Sequence, residues 1–129
     1  MKRIVPCLLL VSVLLSAAGA KTQKQRQTNP CENAPSQYEA NQCAHREYEA
    51  ADAELNKVYN QLAAKLDDAE QRAQLKTAEL AWIKFRDADC EFEAYQNKGG
   101  TIYPLIYDGC LTTLTRARTK QLRELLKDR

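Results

Sequence analysis

Glycine and proline are scarce, four of each among 129 residues. Residues 36–98 contain neither. Gly99-Gly100 is too little for a glycine-rich loop that cradles phosphate. There is a single histidine, His45, with no serine or cysteine nucleophile signature around it, so nucleophilic catalysis has no basis. Carboxylates are plentiful, but Asp87, Asp89, Glu91 and Glu93 alternate along the chain, as do Asp52 and Glu54. Alternate residues of a helix point to different faces, so neither run converges as an acid–base pair or a metal set. No Cys-x-x-Cys pair is present, which disfavours zinc. The expectation is therefore no enzyme, no catalytic or metal residues and no cofactor.

The other shortage is of long apolar runs. One occurs, residues 4–15, preceded by Met1-Lys2-Arg3 and followed by the small-residue pattern Ala18-Gly19-Ala20. This reads as a secretory signal peptide over residues 1–20, too short and wrongly flanked for a stable span. Lys21 follows the cleavage point, where a lipoprotein needs cysteine, so no membrane anchor is expected after cleavage. The destination is periplasmic or secreted. Without Lys2 and Arg3 the remaining chain has 17 basic and 17 acidic residues. A neutral chain argues against a nucleic-acid partner. The charge is uneven: residues 31–110 carry 8 basic and 15 acidic side chains, residues 111–129 carry 6 and 2. That asymmetry implies pairing between segments, or an acidic face that attracts a cationic partner.

Cys7 leaves with the signal. Cys31, Cys43, Cys90 and Cys110 remain, an even number in a small exported domain, and imply two disulfides. Of three connectivities, the local one, 31–43 with 90–110, fits the helical layout best.

Residues 21–35 are polar and proline-containing and read as a flexible leader to a helical domain over 36–129. Ser36 with Glu39 three residues on is a capping box. The first helix runs to about residue 66 on the stripe Tyr48, Ala51, Leu55, Val58 and Leu62. Asp68 caps a second helix, which ends near Asn97-Lys98-Gly99-Gly100. Residues 75–95 hold the only tryptophan and both phenylalanines. Leu75, Ala78, Trp82, Phe85, Asp89 and Phe92 are spaced as one helical stripe, and the expectation makes this the central helix with that stripe inward. Residues 101–109 read as an apolar connector, and a third helix follows from about residue 110, with Leu111, Leu114, Arg118, Leu122 and Leu125 inward. The fold class is all-α: a small antiparallel three-helix bundle stapled by two disulfides.

Two groups stand out as candidate functional residues. Asp52, Asn56, Arg86, Asp89 and Arg118 are polar residues at or beside the inner stripes, and a half-buried ion needs a partner. Arg118 is expected to pair with Asp52 or Asp89 and to set the helix register. The connector, held between two helix ends, either covers the end of the bundle or presents a binding loop, with Tyr103, Tyr107 and Asp108 as contacts.

The ordered set Ala51-Asp52, Leu55-Asn56, Tyr59, then Trp82-Ile83, Arg86-Asp87, Cys90, then Cys110, Leu114, Thr115, Arg118 resembles the LprI-type lysozyme inhibitor family. The resemblance covers about residues 31–125. It implies an exported, helical, disulfide-bonded domain that acts as a lysozyme inhibitor, with a lysozyme-type muramidase as protein partner. C-type lysozymes are strongly basic, which suits the acidic residues 31–110. The alternative is an envelope protein-interaction module with a different partner.

Overall fold

The computed structural model describes residue 31 and residues 33–129. The signal peptide and residues 21–30 of the leader lie outside them. Three helices account for most of the chain: α1, Gln37–Lys65; α2, Ala69–Ala94, continued by one tighter turn, Tyr95–Asn97; and α3, Tyr103–Lys127.

The helix starts follow local chemistry. Ser36 Oγ accepts from the Glu39 backbone N–H at 3.2 Å, capping the helix, and donates to the Glu39 carboxylate at 2.8 Å. Asp68 accepts from the Gln71 N–H at 2.9 Å. Between these helices the Arg72 guanidinium donates to the carbonyls of Leu66 and Asp67, which α1 leaves without helical partners. Gly99 takes φ +80° beyond the end of α2, a conformation that favours glycine.

The third helix begins seven residues before the expected start, at Tyr103 instead of about Cys110. Pro104 falls in its first turn, where a missing N–H costs nothing. What reads as a connector over 101–109 is thus mostly helix, and the true connector is residues 98–102.

Cross-helix contacts give the directions. Asn41 meets Thr101, His45 meets Asp108 and Arg116 meets Glu47, so α1 and α3 run parallel. Cys90 is bonded to Cys110, Arg86 meets Thr115 and Glu79 meets Arg118, so α2 runs antiparallel to α3. The helix against which the others pack is α3, not residues 75–95: it lies close to both neighbours, closest to α1, whereas α1 and α2 approach mainly through long side chains. The cause is side-chain size. Ala40, Ala44 and Ala51 of α1 and Thr112, Thr115 and Thr119 of α3 are all buried, and small residues let helix backbones approach. The threonines bury without orphaned hydroxyls: Thr112 and Thr119 donate to the carbonyls four residues back, at 2.8 and 2.9 Å.

One apolar cluster joins Leu55, Val58, Leu62 and Leu122, with Tyr59, Leu75, Trp82 and Leu126 against it. Leu126 takes the inward place expected of Leu125, which is exposed. Fully burying each of these aliphatic side chains stabilises by roughly 1.5–3 kcal/mol. The second cluster is built on the Cys90–Cys110 bridge, with Leu111, Tyr48, Tyr107 and Leu114. The other bridge, Cys31–Cys43, pins the segment before α1 to its second turn.

The inner face of α2 is rotated from the expected stripe. Its buried residues are Glu79, Arg86, Cys90 and Ala94. Phe85 and Phe92 face solvent, 59% and 82% exposed, Ala78 is exposed, and Asp89 is half-buried. A disulfide to α3 must turn Cys90 inward, and Arg86 and Glu79 follow it at helical spacing.

Candidate functional site

The polar residues on the inner faces form a connected centre around Arg86, whose side chain is 6% exposed. Its Nε donates to Asp87 at 2.9 Å, and Nη2 lies 2.8 Å from the same oxygen. Its Nη1 reaches Thr115 Oγ1 at 3.3 Å and Asp52 at 3.5 Å. The guanidinium lies over the rings of Tyr48, at 5.4 Å, and Trp82, at 5.3 Å. Asn56 Nδ2 donates to the other Asp52 oxygen at 2.9 Å. Burial would pull the Arg86 pKa down; the hydrogen bond to Asp87 and the charges of Tyr48, Asp87 and Asp52 outweigh it, and the net direction is up. Tyr48 is shifted up in turn, chiefly by burial.

Arg118 makes a different pair from the expected one. Its Nε and Nη2 both lie 2.9 Å from Glu79 Oε2, and its guanidinium also lies over the Trp82 ring, at 5.8 Å. Neither Asp52 nor Asp89 is its partner, and among the described residues Asp89 joins no ion pair. The rotation of α2 is the reason: it brings Glu79 inward and turns Asp89 aside. Asp52, Asn56 and Arg86 do converge; what Arg118 shares with Arg86 is contact with the Trp82 ring. Glu79, Tyr48, Trp82 and Thr115 complete the centre. Spacing from Cys90 would have found the α2 members, since a bridging cysteine marks the buried face. This centre places a buried guanidinium and its partners where side chains of all three helices meet.

The connector end of the bundle is the open surface. Asn41 Nδ2 donates to the Thr101 carbonyl at 2.9 Å, and Gln37 supports Asn41 at 2.8 Å, so α1 clamps the connector. Tyr103 and Tyr107 sit one turn apart on α3, their rings stacked with centroids 5.8 Å apart and 9° between planes. Both are half-buried. Burial, helped by Asp87 and Glu91, pushes the Tyr107 phenol up, so it remains a hydrogen-bond donor at neutral pH. A shallow hollow of about 430 Å³ lies beside them, lined by Ala88, Glu91, Phe92, Tyr95, Lys98 and Tyr103. Asp108 is not on this surface. It is 8% exposed and faces His45, with Oδ2 at 3.4 Å from Nδ1. Burial raises its pKa, against the opposing pull of His45.

The charge asymmetry along the chain resolves into these contacts. Arg116, Arg118 and Arg123 of α3 meet Glu47, Glu79 and Glu54. Asp89, Glu91 and Glu93, in the last turns of α2, have no ion-pair partner among the described residues. Asp67, Asp68 and Glu70, at the α1–α2 turn, likewise have none among the described residues, so unpaired acids lie at both ends of the bundle.

A family model described as Lysozyme inhibitor LprI matches residues 28–122. An uncharacterized protein of Rhizobium meliloti (strain 1021) is 36% identical over 126 residues, covering 88% of this chain and 91% of its own. The uncharacterized protein YecT of Escherichia coli (strain K12) is 32% identical over 95 residues, 63% of this chain and 59% of that one. A crystal structure of a DUF1311 family protein from Pseudomonas putida KT2440 superimposes with a TM-score of 0.65 at 26% identity, covering 69% of this chain and 92% of the other.

Proposed function

The chain belongs to the LprI lysozyme inhibitor family, and from that premise we propose that it binds a lysozyme-type muramidase and occludes its cleft. The match to the family over residues 28–122 carries the reading. The two disulfides agree with an oxidising, extracytoplasmic setting, where a lysozyme is met. Among the described residues no helix is long and apolar enough to cross a membrane.

The proposed contact surface is the connector end, residues 98–102 with Tyr103 and Tyr107. Stacked tyrosines supply contact area at low entropic cost, and the Asn41 clamp with the Cys90–Cys110 bridge holds them rigid. The unpaired acids Asp89, Glu91 and Glu93 attract a basic enzyme towards that end. Asp108, buried against His45, supports the helix and is not a contact.

Clearance of a peptidoglycan-bearing cell suspension by lysozyme tests this. Excess oxidised protein slows clearance, and the Tyr103→Ala/Tyr107→Ala variant slows it less. Unchanged clearance for several lysozyme classes would remove the inhibitor reading.

A further inference from the structure

The outer face of α2 carries an apolar seam that nothing in the bundle covers. Ala78, Ala81, Phe85, Ala88, Phe92 and Tyr95 follow one another at steps of three, four, three, four and three, and all six are exposed. Phe85, Phe92 and Tyr95 are 59%, 82% and 63% exposed. The seam is about 26 Å long, from the helical rise per residue. Three aromatic rings in a row on a solvated helix are costly to leave in water.

The seam fits itself. Laid antiparallel on a second copy, it pairs Ala78 with Tyr95, Ala81 with Phe92, and Phe85 with Ala88, in both directions. Each aromatic ring then meets an alanine, which is the alternation of large and small that lets two helices interdigitate closely. The flanking charges match in the same register: Lys84 of one copy falls beside Glu91 of the other, twice over. Both are exposed, and neither has an ion-pair partner among the described residues. Self-complementarity of shape and charge is what a two-fold interface requires and what a foreign partner does not.

We infer that this chain self-associates through an antiparallel pairing of its α2 helices. The inference is independent of the inhibitor reading. Three rings, each with on the order of 100 Å² to bury, plus the alanines between them, give less than the ~800 Å² per partner of a standard interface. The dimer is accordingly weak, with a dissociation constant on the order of 10–100 µM.

Sedimentation equilibrium of the oxidised protein, with no lysozyme present, tests the inference. A concentration-dependent rise from monomer to dimer mass is expected. Phe85→Glu/Phe92→Glu should raise the dissociation constant more than about thirtyfold. Because both residues are exposed, helix content and melting temperature should stay at the parent values. Lys84→Glu should weaken the dimer several-fold, and Lys84→Glu/Glu91→Lys should restore it. A protein that stays monomeric near 1 mM, or a dimer that survives Phe85→Glu/Phe92→Glu, would overturn the interface. Failure of the charge exchange to restore the dimer would overturn the antiparallel register.

Discussion

Replacing Arg86 with leucine probes the polar centre most severely. The side chain is 6% exposed and is held by Asp87, Thr115 and Asp52 and by two aromatic faces. A hydrogen bond to a charged group contributes roughly 1.5–3 kcal/mol, and a desolvated ring face about 1–2 kcal/mol. Against these stands the several kcal/mol needed to take a guanidinium out of water. Leucine removes both sides of that balance. It leaves Asp52 and Asp87 without their cation, but these are 39% and 45% exposed and return to solvent. Thr115, fully buried, cannot. The expected net loss is about 2–3 kcal/mol, which lowers the melting temperature by roughly 8–12 °C for a domain of this size. Arg86→Lys keeps the charge but loses the planar fork and its stacking, and should cost about 1–2 kcal/mol. Thermal melts followed by far-UV circular dichroism at neutral pH give both values. A leucine variant that melts within about 1 °C of the parent would refute the claim that this centre fixes the bundle.

Three further outcomes follow from the same contacts. Glu79→Leu should destabilise by about 2–4 kcal/mol in urea unfolding because it strands Arg118, while Glu79→Leu/Arg118→Met should return close to the parent. Asp108 has a raised pKa, so its protonated form fits the fold better. Its stabilising contribution is complete below the ordinary value of 3.8 and is lost as pH rises through the raised folded value. Asp108→Asn should therefore melt above the parent at pH 7, with the gap closing as pH falls through the raised folded value towards 3.8; a gap that widens on acidification contradicts the sign. Removing the Cys90–Cys110 bridge, which closes 20 residues, should cost about 3 kcal/mol in chain entropy. It should also loosen the Leu111 cluster, so near-UV dichroism of Tyr48 and Tyr107 should weaken more than on removing Cys31–Cys43.

The helix count and most helix starts were legible because local signals agree: a cap at Ser36, a cap at Asp68 and long stretches without glycine or proline. The phase of α2 was not. Phe85, Phe92 and Trp82 dominate any apolar reading, yet two of the three are on the outside. Arg86 was legible as a polar residue beside the inner stripe, but Glu79 was not singled out: its partner Arg118 comes from another helix, a relation that no local pattern contains. Cys90 carried the missing information. The start of α3 was misplaced because Pro104 and Gly109 look like breakers, although proline is harmless in a first turn. The same shift moved Tyr103, Tyr107 and Asp108 from a loop onto a helix, and only the structure could separate the half-buried tyrosines from the buried aspartate.

Direct titration of the oxidised protein into a C-type lysozyme, followed by calorimetry at low and high salt, tests the central claim most closely. Saturable binding with one lysozyme per protomer is expected, weaker at high salt and weaker again for Tyr103→Ala/Tyr107→Ala. No saturable heat with this or any other lysozyme class, at either salt concentration, would contradict it.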